Sequence, residues 1–351
     1  MPAEYIKSLT GVRFFAAFWV VLFHFQGDLY RLIPPLETLR PVFEKGHYSV
    51  PLFFILSGFI LSHTYFDKYA LSSHAKFVWL RFARIWPTHL AVVLCFLGYY
   101  FLVYLLKIRI GGAPPSYGVL LQELVMTRAW TTRELAWNYP AWSIQAEWFA
   151  YLFLFPVCFL WFKAIHGKVT IFALSVILLC IHGVQPFADT PTRITDIALL
   201  FMAGSALYRL RSLVNLSRFA SIGVLTGIAT AGTAMAISLP VSKALIYLSF
   251  GLLVLSLSYD KGLVARALRS DLVVYGGTIS YSLYMTHALV QLVYWTIGGK
   301  LPHSGTVAGP VVGVCLLAST LACASLFYHW VEAPGNLKLR RIYETKSSKP
   351  R

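Results

Sequence analysis

Ten apolar runs, most of them close to the length of a membrane-spanning helix, decide what this chain can fold into. They fall at about 11–30, 49–66, 88–106, 141–162, 169–186, 194–208, 219–239, 244–259, 272–297 and 307–330. A helix rises about 1.5 Å per residue and a bilayer's hydrocarbon core is about 30 Å thick, so a run near 20 residues is a spanning helix. Only 13% of the 351 residues are charged, where soluble domains carry about a quarter. The sequence therefore predicts an all-α, polytopic membrane protein with about ten transmembrane helices. The net charge of +16 would suggest nucleic acid in a soluble protein. Here Lys and Arg gather between apolar runs, the pattern of positive-inside topology, and no nucleic-acid partner is expected. With both termini cytoplasmic, 20 of the 30 Lys and Arg residues fall inside.

The first run lacks a small-residue cleavage site and reads as a retained span. Residues 1–341 are expected to form one membrane-embedded domain, and 342–351, polar and charged, a disordered cytoplasmic tail. The five cysteines, Cys95, Cys158, Cys180, Cys315 and Cys323, all lie in apolar runs without a CxxC pair, which fits neither a disulfide framework nor a zinc site. No HExxH, GxSxG or Gly-rich phosphate loop is present, so no metal is expected.

Ionisable residues are costly in a membrane span, so the exceptions are functional candidates. The first is His24, in Arg13-Phe-Phe-Ala-Ala-Phe-Trp-Val-Val-Leu-Phe-His24. Eleven residues are about three helical turns, which puts Arg13 and His24 on one face, roughly 16 Å apart along the axis. The plainer reading of His24 is a core histidine bonded to a neighbouring helix. Glu147 is the second, with Ser143 four residues before it on the same face. His24 and Glu147 sit at similar inferred depth, roughly 9 Å below the outer edge. If they meet, the carboxylate would hold the imidazole in one tautomer. His287 is the third, sharing a face with Ser280 and Tyr284, an arrangement that a polar helix–helix seam explains as well as a substrate site does.

Ser57 and Gly58 form a small pair in a bulky run, which packing explains by default. Arg81 and Arg84 make one cationic face of an amphipathic stretch, 75–87, expected at the inner interface before Pro87. They would bind either membrane lipid or phosphate, for which paired guanidiniums are suited. The connection 107–140 carries Trp130, Trp137 and Tyr139, rings that anchor at interfaces and can also stack on sugars.

Taken together, Arg13-x10-His24, Phe53-Phe-Ile-Leu-Ser57-Gly58-Phe, Arg81-Phe-Ala-Arg84, Trp142-Ser143-x3-Glu147, Ser280-Tyr-Ser-Leu-Tyr-Met-Thr-His287 and Tyr328-His-Trp-Val-Glu332-Ala-Pro334 resemble acyltransferase family 3. These are multipass membrane O-acyltransferases, many of which acetylate bacterial surface and exported polysaccharides. The stretches run in family order over essentially the whole chain, as in a stand-alone member without an esterase-like domain. The resemblance implies catalysis by His24 with Glu147. It also implies binding of acetyl-CoA, the acyl donor, by Arg13, Arg81, Arg84, Ser57 and Gly58. Trp142, Ser143, Tyr284 and His287 would hold the acceptor or the structure around it. The acceptor is expected to be a glycan or lipid-linked glycan, and the location a bacterial inner membrane. A proton-coupled transporter or flippase is the rival class, since intramembrane His and Glu also build proton relays. A lipid-linked or small-molecule acceptor is the rival within the enzyme class.

Overall fold

A computed structural model of the chain describes residues 5–108, 117–131, 137–184, 194–237, 241–298 and 308–347. Every regular element among them is helical. In chain order these are α1 (Lys7–Leu32), α2 (Arg40–Phe43), α3 (Ser49–Tyr65), α4 (His74–Leu105), α5 (Leu120–Leu124), α6 (Trp142–Phe149), α7 (Phe155–Ala164) and α8 (Lys168–Val184). They continue as α9 (Ile194–Leu213), α10 (Ala220–Ala236), α11 (Ser242–Leu257), α12 (Leu263–Leu268), α13 (Asp271–Thr278), α14 (Ser280–Gly298), α15 (Ala308–Phe327) and α16 (Ala333–Ser347). Two π-helical turns, Ala150–Leu154 and Tyr328–Glu332, join α6 to α7 and α15 to α16.

The protein is an all-α polytopic membrane protein, but the expectation of ten spans needs correction. Six segments among the described residues are long and apolar enough to cross a membrane: Lys7–Leu32, Pro34–Tyr65, Leu71–Leu105, Tyr139–Ala164, Ser217–Ala236 and Ala308–Thr345. Lys168–Ile181 and Ser242–Leu257 are apolar but shorter, rising less than the roughly 30 Å of the hydrocarbon core. The expected span 272–297 is broken at Ile279 into α13 and α14, and α14 buries Ser280, Ser282, Thr286, His287 and Gln291. Exposed apolar side chains such as Phe101, Ile222, Leu225, Val311 and Val314 fit contact with lipid tails. Pro87 lies inside α4, which continues through it and is 32 residues long. The helix of α16 also extends into the expected tail, through 342–347, while 348–351 lie outside the described residues.

The chain forms two compact units interleaved in sequence. The first comprises Met1–Ala16, His47–His74 and Ala146–Thr278. Its helices pack through small residues, as membrane helices do when backbones must approach. A Cβ at Gly58 would lie 2.0 Å from the Phe201 carbonyl oxygen on α9, and one at Gly204 would lie 2.1 Å from that of Ile55 on α3. At the start of α1, a Cβ on Gly277 would meet the Thr10 carbonyl at 1.9 Å, and Ser8 Oγ donates to the Leu257 carbonyl at 2.8 Å.

These approaches predict Gly58→Ala to destabilise by about 2 kcal/mol or more, the scale of overpacking a tight contact. Gly98→Ala, on α4 with nothing within 4 Å of its added carbon, should instead be neutral or stabilising by up to about 1 kcal/mol through helix propensity. Thermal unfolding of the two variants in detergent checks both signs; equal midpoints would refute the packing account.

The second unit comprises Ala17–Gly46, Ala75–Gln145 and Ile279–Arg351. Here α14 packs along α15. Trp19 Nε1 donates to the Val42 carbonyl at 2.8 Å, Trp79 Nε1 to that of Leu339 at 2.9 Å, and the Tyr281 hydroxyl to that of Ile85 at 2.6 Å. Gly335 on α16 faces the Pro87 ring.

Candidate active site

The part of α1 that belongs to the second unit carries His24, and α14 brings His287 against it. His24 Nδ1 lies 2.9 Å from His287 Nε2, with the rings 5.0 Å apart and nearly parallel at 16°. His287 is completely buried, whereas His24 is half-buried. Tyr139 sets its ring edge-on to His24 at 4.7 Å. The histidine that belongs to a polar seam and the one on the first span are thus one pair. The partner at His24 Nδ1 is an imidazole, not the Glu147 carboxylate considered from depth.

A second layer holds this pair. Gln291, one turn beyond His287, donates from Nε2 to the His24 carbonyl and to Asp28 Oδ2, each at 2.9 Å. Its Oε1 accepts from the Tyr139 hydroxyl at 2.9 Å. Asp28, one turn beyond His24, also accepts from Trp295 Nε1 at 3.0 Å and from Arg31 at 2.7 Å. Asp28 and Gln291 are functional candidates the sequence reading did not name. Their signal is nonetheless simple: each stands four residues after a histidine, hence on the same helix face.

Ser143 at the start of α6 donates to the Tyr284 hydroxyl at 2.8 Å, and Tyr284 donates in turn to the Pro140 carbonyl at 3.0 Å. Trp142 is half-buried beside it. Asn138 Nδ2 donates to the Met285 carbonyl at 2.9 Å. Both bonds tie the entry of α6 to α14. The connection before α6 is anchored by a buried network. Arg128 lies 3.3 Å from Glu123, Gln145 Nε2 donates to Glu123 Oε2 at 2.7 Å, and His89 Nε2 donates to the Glu123 carbonyl at 2.6 Å. Burial pushes the Glu123 carboxyl above the ordinary carboxylate range, and the Arg128 charge and the Gln145 hydrogen bond pull it back down.

In the first unit, Ser57 Oγ donates to the Glu147 carboxylate. Gly58 is taken up by the α9 backbone, so its small size serves helix packing. Arg13 is half-buried on α1. The expected arginine face is divided in role. Arg84 donates to the carboxylate of Glu332, which is fully buried and also accepts from Ser282 Oγ. The Arg84 guanidinium lies 5.8 Å from the Tyr281 ring centre. Arg84 is therefore an ion-pair partner inside the fold; Arg81, three residues before it, is half-buried. No group of three or more metal-ligating side chains occurs among the described residues.

The π-helical turns mark two of these places: one follows Glu147 on α6, and the other ends on Glu332. Such bulges re-aim side chains and often sit at functional sites.

A curated relative, the acyltransferase MdmB of Streptomyces mycarofaciens, is 30% identical over 171 residues, which cover 47% of this chain and 42% of the relative. The match thus spans less than half of that relative's length. No solved structure matches the chain. The model of an acyltransferase domain, by contrast, matches residues 6–329, from the start of α1 to the beginning of the last π-helical turn, and takes in the His24–His287 pair and every expected site residue. The chain belongs to acyltransferase family 3.

Proposed function

We propose that the protein is a membrane O-acyltransferase. It moves an acetyl group from cytoplasmic acetyl-CoA to a sugar hydroxyl of an exported or surface polysaccharide, or of its lipid-linked precursor, in a bacterial inner membrane. The observation that carries this reading is the half-buried His24 held by His287 and Tyr139 on a chain of this family. A positioned imidazole is the commonest general base, and a sugar hydroxyl needs one to attack a thioester. Acetyl-CoA supplies the acyl group in activated form.

His24 takes the proton from the acceptor hydroxyl in this reading, and Glu147, held by Ser57, is the second residue assigned to the reaction by family resemblance. Arg13 and Arg81 contribute positive charge for the donor's phosphates. Arg84 has its charge balanced by Glu332 and acts as a structural partner. Ser143 and Tyr284, bonded to each other, stand on the acceptor side with Trp142.

The test is acyl transfer from radiolabelled acetyl-CoA by detergent-purified protein to a panel of glycan acceptors. Label is expected on a glycan, with slow release of free acetate when the acceptor is omitted. A protein that neither transfers label, hydrolyses acetyl-CoA nor binds it, although folded, would instead be a transporter or flippase.

A further inference from the structure

The helix that carries Glu147 is interrupted by one extra residue, and the interruption has a chemical cause. Pro156, the second residue of α7, has no N–H. In an α-helix that N–H would serve the carbonyl four residues back, which is Leu152, and the pyrrolidine ring would press on the same oxygen. The π-helical turn Ala150–Leu154 takes in that residue. The Leu152 carbonyl draws a donor from outside its own helix: His74, the first residue of α4, brings Nε2 to 3.1 Å from it. A carbonyl oxygen accepts and cannot donate, so Nε2 carries the hydrogen. In the neutral ring Nδ1 then accepts from the Tyr69 hydroxyl at 2.7 Å. Tyr69 is buried, with its ring edge-on to Phe155 and Phe159 of α7 at 5.1 and 4.8 Å. One short segment between α3 and α4 thus grips the turn by a carbonyl and α7 by two rings.

The turn decides which way Glu147 faces. On α7, Phe155 meets Tyr65, the last residue of α3, with ring centres 6.5 Å apart, and Phe159 meets Phe66 at 5.4 Å. Glu147 meets α3 as well, accepting from Ser57 Oγ. Glu147 and Phe155 are eight residues apart, and in an unbroken α-helix their directions would differ by about 80°. A π-helical turn holds one residue more, which takes up about 100° and leaves about 20° between them. The same side of the helix then faces α3 on both sides of the turn. We infer that His74 is a positioning residue: by donating to the Leu152 carbonyl it holds the extra residue in the turn and so keeps Glu147 on Ser57. The inference rests on the reading of Glu147 as a residue of the acyl transfer.

The carboxyl vibration of Glu147 reads the contact directly. The protein is labelled with carbon-13 glutamate, and the Glu147 band is assigned in the infrared spectrum by its loss in Glu147→Gln. Ser57→Ala marks where the band lies without its hydrogen bond. His74→Ala is expected to shift the band in the same way and to lower kcat roughly 10²-fold, the cost of displacing a reacting group by about 1 Å, with KM for acetyl-CoA unchanged. His74→Gln, whose amide can donate to the same carbonyl, should keep the wild-type band and most of the activity. If His74→Ala does not fold, His74→Ala combined with Pro156→Ala gives the Leu152 carbonyl a backbone donor and lets the helix straighten. Its band is expected to stay displaced and its kcat low. A wild-type band in either folded variant would overturn the inference, because the turn would then hold its register without His74. A wild-type kcat in Glu147→Gln would overturn the reading of Glu147 on which the inference rests, and the band positions separate the two failures.

Discussion

His24→Ala should abolish acyl transfer, with kcat falling at least about 10²- to 10⁴-fold, the usual contribution of a positioned general base. The protein should still fold. His24 is only half-buried, so the substitution opens little sealed cavity. The main structural cost is that buried His287 Nε2 loses its partner, about 1–3 kcal/mol. The clamp between Gln291, Asp28 and Tyr139 uses the His24 backbone carbonyl, not its ring, and survives the change. Binding of acetyl-CoA should be unaffected, because no part of the proposed phosphate site is touched. Radiolabel transfer, thermal unfolding and equilibrium binding measured on the same preparation check the three statements together. A folded His24→Ala protein that transfers label at the wild-type rate would remove His24 from the chemistry.

What could be read from the sequence follows from what a period can encode. Apolar runs announced helices, and the spacing of Arg13 and His24, or of Ser280, Tyr284 and His287, announced faces. A face does not say which element it meets. The pairing of His24 with His287 joins positions 263 residues apart, and nothing local to either one specifies the other. The same holds for Arg84 with Glu332, 248 apart. Taken from its own stretch, Arg84 reads as half of a phosphate clamp, because the buried carboxylate that neutralises it lies on a turn near the other end of the chain. Glu332 could be quoted as part of a motif, but its role could not be derived there. Gly58 shows the converse. Its small size was visible, and packing was the default explanation, but only the approach of the Phe201 carbonyl shows what uses it. In α14 polarity is high for a structural reason. The polar residues of α14 that hold the histidine pair and the α6 entry also take that helix below the apolarity of a simple membrane span.

The ion pair of Arg84 yields the second large effect. Glu332 is fully exposed to neither water nor lipid: its carboxylate is buried and receives hydrogen bonds from Arg84 and Ser282. Removing one member of a buried pair costs about 3–5 kcal/mol, because the charge left behind has no compensation. The Arg84 side chain is 26% exposed, so water can reach its end of the pair and reduce the loss. Arg84→Ala is therefore expected to destabilise by about 2–3 kcal/mol, visible as a lower unfolding midpoint in detergent. Replacing both members with apolar groups removes the orphaned charge along with its partner. Arg84→Met combined with Glu332→Leu should recover most of the midpoint lost by Arg84→Ala. That double variant separates structure from donor binding. If Arg84 serves the fold, KM for acetyl-CoA in the refolded double variant stays at the wild-type value. If Arg84 also holds donor phosphate, KM rises although the midpoint has returned, and the arginine pair acts as the clamp that its sequence spacing suggests.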